Sequence, residues 1–237
     1  MTFVEALVNK GKEAGIAFTE RQLEQFELYY ELLIETNKVM NLTAITEPEE
    51  VAVKHIIDSL LAYDANLFPG KLLADVGTGA GFPGIPLKIF CPALKVVLLD
   101  SLAKRLKFLE MVIEKLGLQD ISCVHLRAED AGQNKAHREK YDLVTARAVA
   151  RLSVLSEYCL PLVKQGGYFI ALKGSKFHEE ISEGRAAVAM LGGEIVSADE
   201  VKLPGLDDGR AIVRIRKVKS TPAKFPRKAG LPEKQPL

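Results

Sequence analysis

Residues 72–84 constrain this chain more than any other stretch: LLADVGTGAGFPG runs an apolar strand directly into a turn built on Gly77, Gly79, Gly81 and Gly84. Glycines at that density let the backbone take positive φ and approach a neighbour closely. A strand that leaves through such a turn and resumes as a helix opens a βα unit. The texture then repeats. Apolar runs at Leu72–Val76, Val96–Asp100, Ile121–Leu126, Tyr141–Thr145 and Tyr168–Leu172 alternate with helical stretches such as Leu102–Leu116 and Ser153–Val163. In the first of these helices Leu106, Leu109 and Ile113 share one stripe. The expectation is an α/β chain with a Rossmann-like, mainly parallel sheet. Near its end, Gly193–Leu203 and Arg210–Val218 read as strands separated by Pro204-Gly205 and Asp208-Gly209, a closing antiparallel hairpin.

Ahead of the first strand, Thr19 and Gln22 have capping-box spacing and Leu23, Phe26, Tyr30 and Leu33 follow on one face, a helix to about Lys38. Thr46 and Glu49 repeat the spacing, with Pro48 suited to the first helical position, so a second helix is expected from there through Leu61. Three regions result: an N-terminal helical extension (1–66), a Rossmann-like domain (67–218) and a basic, proline-rich tail (219–237). The tail carries Lys219, Lys224, Arg227, Lys228 and Lys234 against Glu233, and its prolines predict no helix. It reads either as a solvated tail or as an arm reaching for phosphate.

The formal net charge of +1 excludes indiscriminate, whole-surface binding of nucleic acid, so any such affinity must come from a local patch. Cys91, Cys123 and Cys159 form no C-x-x-C pair and read as buried thiols, with no metal site signalled. No apolar run is long enough to span a bilayer, and the N-terminus lacks a cleavage signal, so a cytosolic location is expected and the sequon at Asn41 is chance.

Gly79-x-Gly81-x-x-Gly84 also fits a dinucleotide fingerprint. Register argues against that ligand, because Asp75 at the strand end would repel a pyrophosphate. S-adenosylmethionine carries an ammonium and a cationic sulfur instead, so Asp75, Gly77 and Gly79 suit it better. Asp100 closes the second strand, where a carboxylate accepts hydrogen bonds from ribose hydroxyls; with Ser101 it could equally cap the next helix. Ala128 and Glu129 follow the third strand, at the sheet edge where adenine would lie.

With these residues in view, the chain resembles the bacterial 16S ribosomal RNA guanine-N7 methyltransferases once called glucose-inhibited division protein B. The resemblance rests on MNLTAITEPEE, KHIIDSL, DVGTGAGFPGIPLKI, LLDSLAKRLKFL, RAED, TARAVARLSVLSEYCLPLV, ALKG and PRKAGLPEKQPL, in family order over nearly the whole chain. It implies methyl transfer from S-adenosylmethionine to N7 of one guanosine in the small-subunit rRNA loop near the decoding centre. It also implies that Gly77, Phe82, Ala128, Glu129 and Arg147 contribute to the cofactor site.

The residues suit that chemistry. Guanine N7 has a free lone pair and no proton to lose, so alignment rather than a general base is required, and no catalytic His or Cys is expected. The segment after the fourth strand, Thr145-Ala146-Arg147-Ala148, lacks the N-P-P-Y-like sequence that usually accompanies methylation of an exocyclic amine. Arg147 could contact guanine O6, a phosphate or the cofactor carboxylate, or simply pair with Glu129 or Asp142. Lys54, His55, Arg151, Lys173, Lys224, Arg227 and Lys228 are the candidates for an RNA-facing patch, with Asp58 one turn from His55. We expect a monomer. A methyltransferase for another acceptor, a non-catalytic sensor of S-adenosylmethionine and a nicotinamide oxidoreductase are the competing readings.

Overall fold

The computed structural model describes residues 1–147, 150–207 and 209–237. Part of the TARAVARL segment, Ala148 and Val149, and Asp208 of the expected hairpin turn lie outside the described residues.

Among the described residues seven strands form one sheet: β1 (Leu72–Val76), β2 (Lys95–Asp100), β3 (Ile121–His125), β4 (Tyr141–Ala146), β5 (Val163–Lys173), β6 (Gly193–Val201) and β7 (Arg210–Lys217). Their order is β3-β2-β1-β4-β5-β7-β6, with β7 inserted antiparallel between β5 and β6 and the first five strands parallel. β1 and β4 are neighbours, so strand order reverses between them. A crevice therefore opens there at the carboxyl ends, the place where doubly wound sheets bind ligands. The central strands are buried on both faces, which is why they read as continuous apolar runs rather than alternating ones.

On the N-terminal side lie α1 (Phe3–Glu13), α2 (Glu20–Met40), α3 (Pro48–Val51), a π-helical turn (Ala52–Ile57) and α4 (Asp58–Leu60). Thr19 caps α2 in a reciprocal box with Gln22, as its spacing predicts. Thr2 and Glu5 form the same box on α1, a signal equally present in the sequence but not read there as a helix start. The box expected at Thr46 does not form: Glu47 is the N-cap and makes no side-chain cap bond. Pro48 starts that helix, but after its first turn the backbone widens into π geometry, so Lys54 and His55 sit on an irregular stretch.

The remaining helices are α5 (Gly84–Phe90), α6 (Ala103–Lys115), α7 (Ala128–Gln133), α8 (Leu152–Cys159), α9 (Phe177–Met190) and α10 (Leu231–Lys234). Two apolar layers flank the sheet. One joins Phe3, Leu7, Phe26 and Leu33 of the N-terminal helices to α5, α6 and residues such as Leu73 and Leu98. The other joins α8 and α9 to β4, β5 and β7 and includes Phe225 of the tail. Cys91 and Cys159 are buried as expected, whereas Cys123 is only half-buried.

The tail is neither free nor without helix. Arg138 donates to the carbonyls of Thr221 (2.7 Å) and Phe225 (2.8 Å), and Gln133 to that of Pro226 (2.9 Å). The expectation of no helix fails at Leu231–Lys234 because Pro232 falls in the first turn, where its missing N–H costs nothing, and Gly230 at φ 77° redirects the chain into it.

Candidate functional site

The glycine turn after β1 is fixed from within. Asp75 is fully buried; one carboxylate oxygen accepts from Thr78 Oγ1 (2.6 Å) and Gly84 N (3.0 Å), the other from Thr145 Oγ1 (3.2 Å). Burial pushes its pKa up to about 6 despite these bonds. Asp75 thus shapes the loop, and the picture of an open carboxylate facing a ligand needs correcting: both oxygens are engaged by protein. Tyr29, buried on α2, donates its hydroxyl to the Ala80 carbonyl and holds the turn from the other side. A side chain at Gly81 would meet that hydroxyl at 2.7 Å, so glycine is required there. Gly77 and Gly79, at φ 67° and 61°, have open space or only ordinary contacts where a Cβ would be, so the loop presents bare backbone outward.

Beside that backbone is a cavity of about 250 Å³, walled by Gly77, Asp100, Ala128, Glu129, Leu155 and Tyr158. Asp100 accepts from Gly79 N (2.9 Å) and from Leu102 N (2.9 Å), tying the loop to the segment that leads into α6, and it also lines the cavity; α6 itself has Leu102 as N-cap, without a side-chain cap bond. Gly77, Asp100, Ala128 and Glu129 come together here, from the ends of β1, β2 and β3.

Phe82 and Arg147 lie apart from that group, on the far side of the loop. The His55 ring stacks on Phe82 at 4.5 Å, and the Arg147 guanidinium sits 4.9 Å from the same ring. Arg147 pairs with Asp58 (3.1 Å), rather than with the Glu129 or Asp142 considered from sequence, and donates to the Lys54 carbonyl (3.0 Å) and His55 Nδ1 (3.2 Å). An arginine only donates, so beside Arg147 Nδ1 of His55 acts as acceptor and Nε2–H donates to Thr43 Oγ1 (2.8 Å); the Lys54 carbonyl, also 3.2 Å from Nδ1, would be bonded only in the opposite tautomer. Burial, reinforced by the Arg147 charge, lowers the His55 pKa to about 3. His55 is therefore a neutral, fully bonded ring at neutral pH.

Next to this cluster a second cavity, about 550 Å³, opens between the π-helical turn and the end of β5. Its cations Lys54, Arg147, Lys173, Lys176 and Arg210 outnumber its acids Asp58 and Glu180. Two of the cations assigned to RNA from sequence are otherwise committed. Lys173 is buried, bonded to Glu180 and to the Ala150 carbonyl (2.7 Å). Arg227 clamps Glu157, a wholly buried acid of α8, with Nε at 2.9 Å and Nη2 at 2.6 Å from its oxygens. Lys54 pairs with Glu50, and Arg151, Lys224 and Lys228 are exposed. Sequence reasoning missed Tyr29, Thr78, Thr145 and Glu157. Thr78 acts within the turn, Tyr29 and Thr145 reach it from 51 and 70 residues away, and none of these contacts leaves a spacing signature; Glu157 is an ordinary helical acid until the tail reaches it.

A seven-stranded sheet whose β7 runs antiparallel between β5 and β6, with a glycine loop after β1 and an acid closing β2, has the Rossmann-like fold of the methyltransferases that use S-adenosylmethionine. Among solved structures, the cyclase SpnF aligns at TM-score 0.57 and 18% identity over 85% of this chain and 97% of that one. P. horikoshii TYW2, in complex with MeSAdo, aligns at 0.55 and 16% identity over 70% of this chain and 63% of that one. At sequence level, the family described as rRNA small subunit methyltransferase G matches residues 22–207. Proteins named ribosomal RNA small subunit methyltransferase G are 56% identical in Lactobacillus acidophilus, over 92% of both chains, and 54% identical in Desulforamulus reducens, over 98% of this chain and 97% of that one. The chain belongs to the rRNA small subunit methyltransferase G family.

Proposed function

We propose that the protein transfers the methyl group of S-adenosylmethionine to N7 of a guanosine in small-subunit ribosomal RNA, acting in the cytosol as a monomer. The 250 Å³ cavity takes the nucleoside half of the cofactor, with Asp100 accepting from ribose and the Ala128-Glu129 corner facing adenine. Bare backbone at Gly77 and Gly79 leaves room for the methionyl half to pass along the loop. The bound cofactor supplies an electrophilic methyl on a cationic sulfur.

The observation that carries the choice of acceptor is the 550 Å³ cavity, which is cationic and whose acids and histidine are already bonded to protein donors. Its charge suits a ribose-phosphate strand. Its lack of a free base suits an acceptor that attacks through a lone pair and releases no proton. A pyrimidine C5 acceptor would need a thiolate, yet Cys159 is buried with its pKa raised and Cys123 is pushed up to about 11 by burial. Arg147, bonded to Asp58 and covering Phe82, holds the π-helical turn against the end of β4, so the chain's contribution is alignment and exclusion of water. The exposed Arg151, Lys224 and Lys228 supply further phosphate contacts.

Transfer of labelled methyl to unmodified small-subunit particles and to their naked rRNA, with products mapped by cleavage at N7-methylguanosine, tests this reading. One modified guanosine is the expected result. Label at another base atom, or none with the cofactor bound, overturns the choice of acceptor.

A further inference from the structure

The C-terminal tail ends against the cavity assigned to the cofactor's nucleoside, and three observations say what it does there. Gly230 and Glu233 line that cavity together with Asp100 and Glu129. The Gly230 N–H donates to Glu129 Oε1 at 2.8 Å, across 101 residues of sequence. The latch that seats this segment is costly to open: Glu157 is wholly buried, and Arg227 meets it through backbone N–H (2.8 Å) and guanidinium alike. Lifting the tail would strand a buried carboxylate, a penalty that strongly disfavours the undocked state. The neighbouring helix is shaped to receive the tail, since a side chain at Gly132 would meet Pro226 at 2.7 Å.

We infer that the tail is a fixed wall of the cofactor pocket and that Gly230 is a positioning residue: its N–H orients the Glu129 carboxylate so that the other oxygen faces the adenine. The inference rests on the cofactor reading of this cavity. Gly230 lies outside the span matched by the family, and its φ of 77° is the reason a glycine stands there. Nothing lies within 4 Å of a Cβ at this position, so a substitution strains the backbone without a clash. The donor shifts while the fold is spared.

The test is titration calorimetry of S-adenosylmethionine on the full-length protein and its Gly230→Val, Gly230→Asn and Asp100→Asn variants. Valine resists this conformation and asparagine tolerates it. Gly230→Val is expected to weaken binding about tenfold, the loss of one well-placed charge-assisted hydrogen bond. Gly230→Asn is expected to restore affinity to within about threefold of the parent. Affinity unchanged in Gly230→Val but lost in Asp100→Asn overturns the tail's role and leaves the pocket reading standing. Affinity unchanged in Asp100→Asn overturns the pocket reading and the tail's role with it. Amide exchange on the unsubstituted protein is independent of how any variant folds. Saturating S-adenosylmethionine should slow exchange at Gly230 and Glu233, and unaltered exchange there overturns the inference.

Discussion

Arg147, just past β4, and Asp58, at the start of α4, form an ion pair at 3.1 Å that joins the sheet to the N-terminal helices across 89 residues of sequence. Arg210 approaches the same carboxylate at 3.8 Å. The pair is mostly buried, and removing one partner exposes the other to uncompensated burial. Arg147→Ala should therefore cost about 3 kcal/mol of unfolding free energy and at least about tenfold in methyl transfer. Asp58→Asn should cost less, and the double variant should fall short of the sum by about 1–2 kcal/mol. Denaturant unfolding of the four proteins decides this, and strict additivity would mean the two side chains do not act as a unit.

Asp75 gives the loop a particular pH signature. Burial raises its pKa from 3.8 to about 6, so the folded protein holds a proton that the unfolded chain has released. Its contribution to stability is thus fullest below pH 3.8 and falls as pH rises toward 6, by about 3 kcal/mol in all. Asp75→Asn has no such titration. The stability difference, variant minus parent, should therefore grow in the variant's favour from about pH 4 to pH 6. A flat difference across that window would show that the carboxylate is not desolvated in the folded protein.

His55 works in the opposite sense. Its pKa is lowered from 6.5 to about 3, chiefly by burial and then by the Arg147 charge. The stability it supports is complete above pH 6.5 and drains away as pH falls toward 3. Between about pH 6.5 and 5 the parent should lose about 2 kcal/mol more than His55→Gln, whose amide can keep both hydrogen bonds. Equal losses would contradict a neutral, buried ring at this position.

Much of the architecture was legible in the sequence. Alternation of apolar runs with amphipathic helices pointed to the parallel sheet, and the capping box at Thr19 placed α2, because each is a local, periodic property. Asp75, Asp100 and the Ala128-Glu129 pair could be placed at strand ends from spacing alone. What they bond to could not: Thr78 and Gly84 close on Asp75 through the fold of the glycine turn, and Thr145 only once β1 and β4 are neighbours. The tail misled for a physical reason. Its composition is that of a solvated arm, but Phe225 and Arg227 find an apolar site and a buried acid that no local pattern announces.

Lys173 and the tail lysines separate two meanings of a basic residue. Lys173 is buried and bonded to Glu180, so Lys173→Met should destabilise the protein by about 2–3 kcal/mol, the cost of orphaning its partner. Because its charge is already neutralised within the fold, the salt dependence of binding to small-subunit particles should not change. Lys228 and Lys224 are exposed, with the Lys224 ammonium 5.2 Å from the centroid of the Phe225 ring. Replacing both with glutamine should leave stability within about 0.5 kcal/mol. The slope of log affinity against log salt should nonetheless fall by roughly 0.7–0.9 for each phosphate that the two lysines neutralise in the parent. Binding isotherms at several salt concentrations supply both slopes. A slope unaltered in the tail variant would confine RNA contact to the cationic cavity, and a slope reduced in Lys173→Met would mean that the Glu180 pair opens when RNA binds.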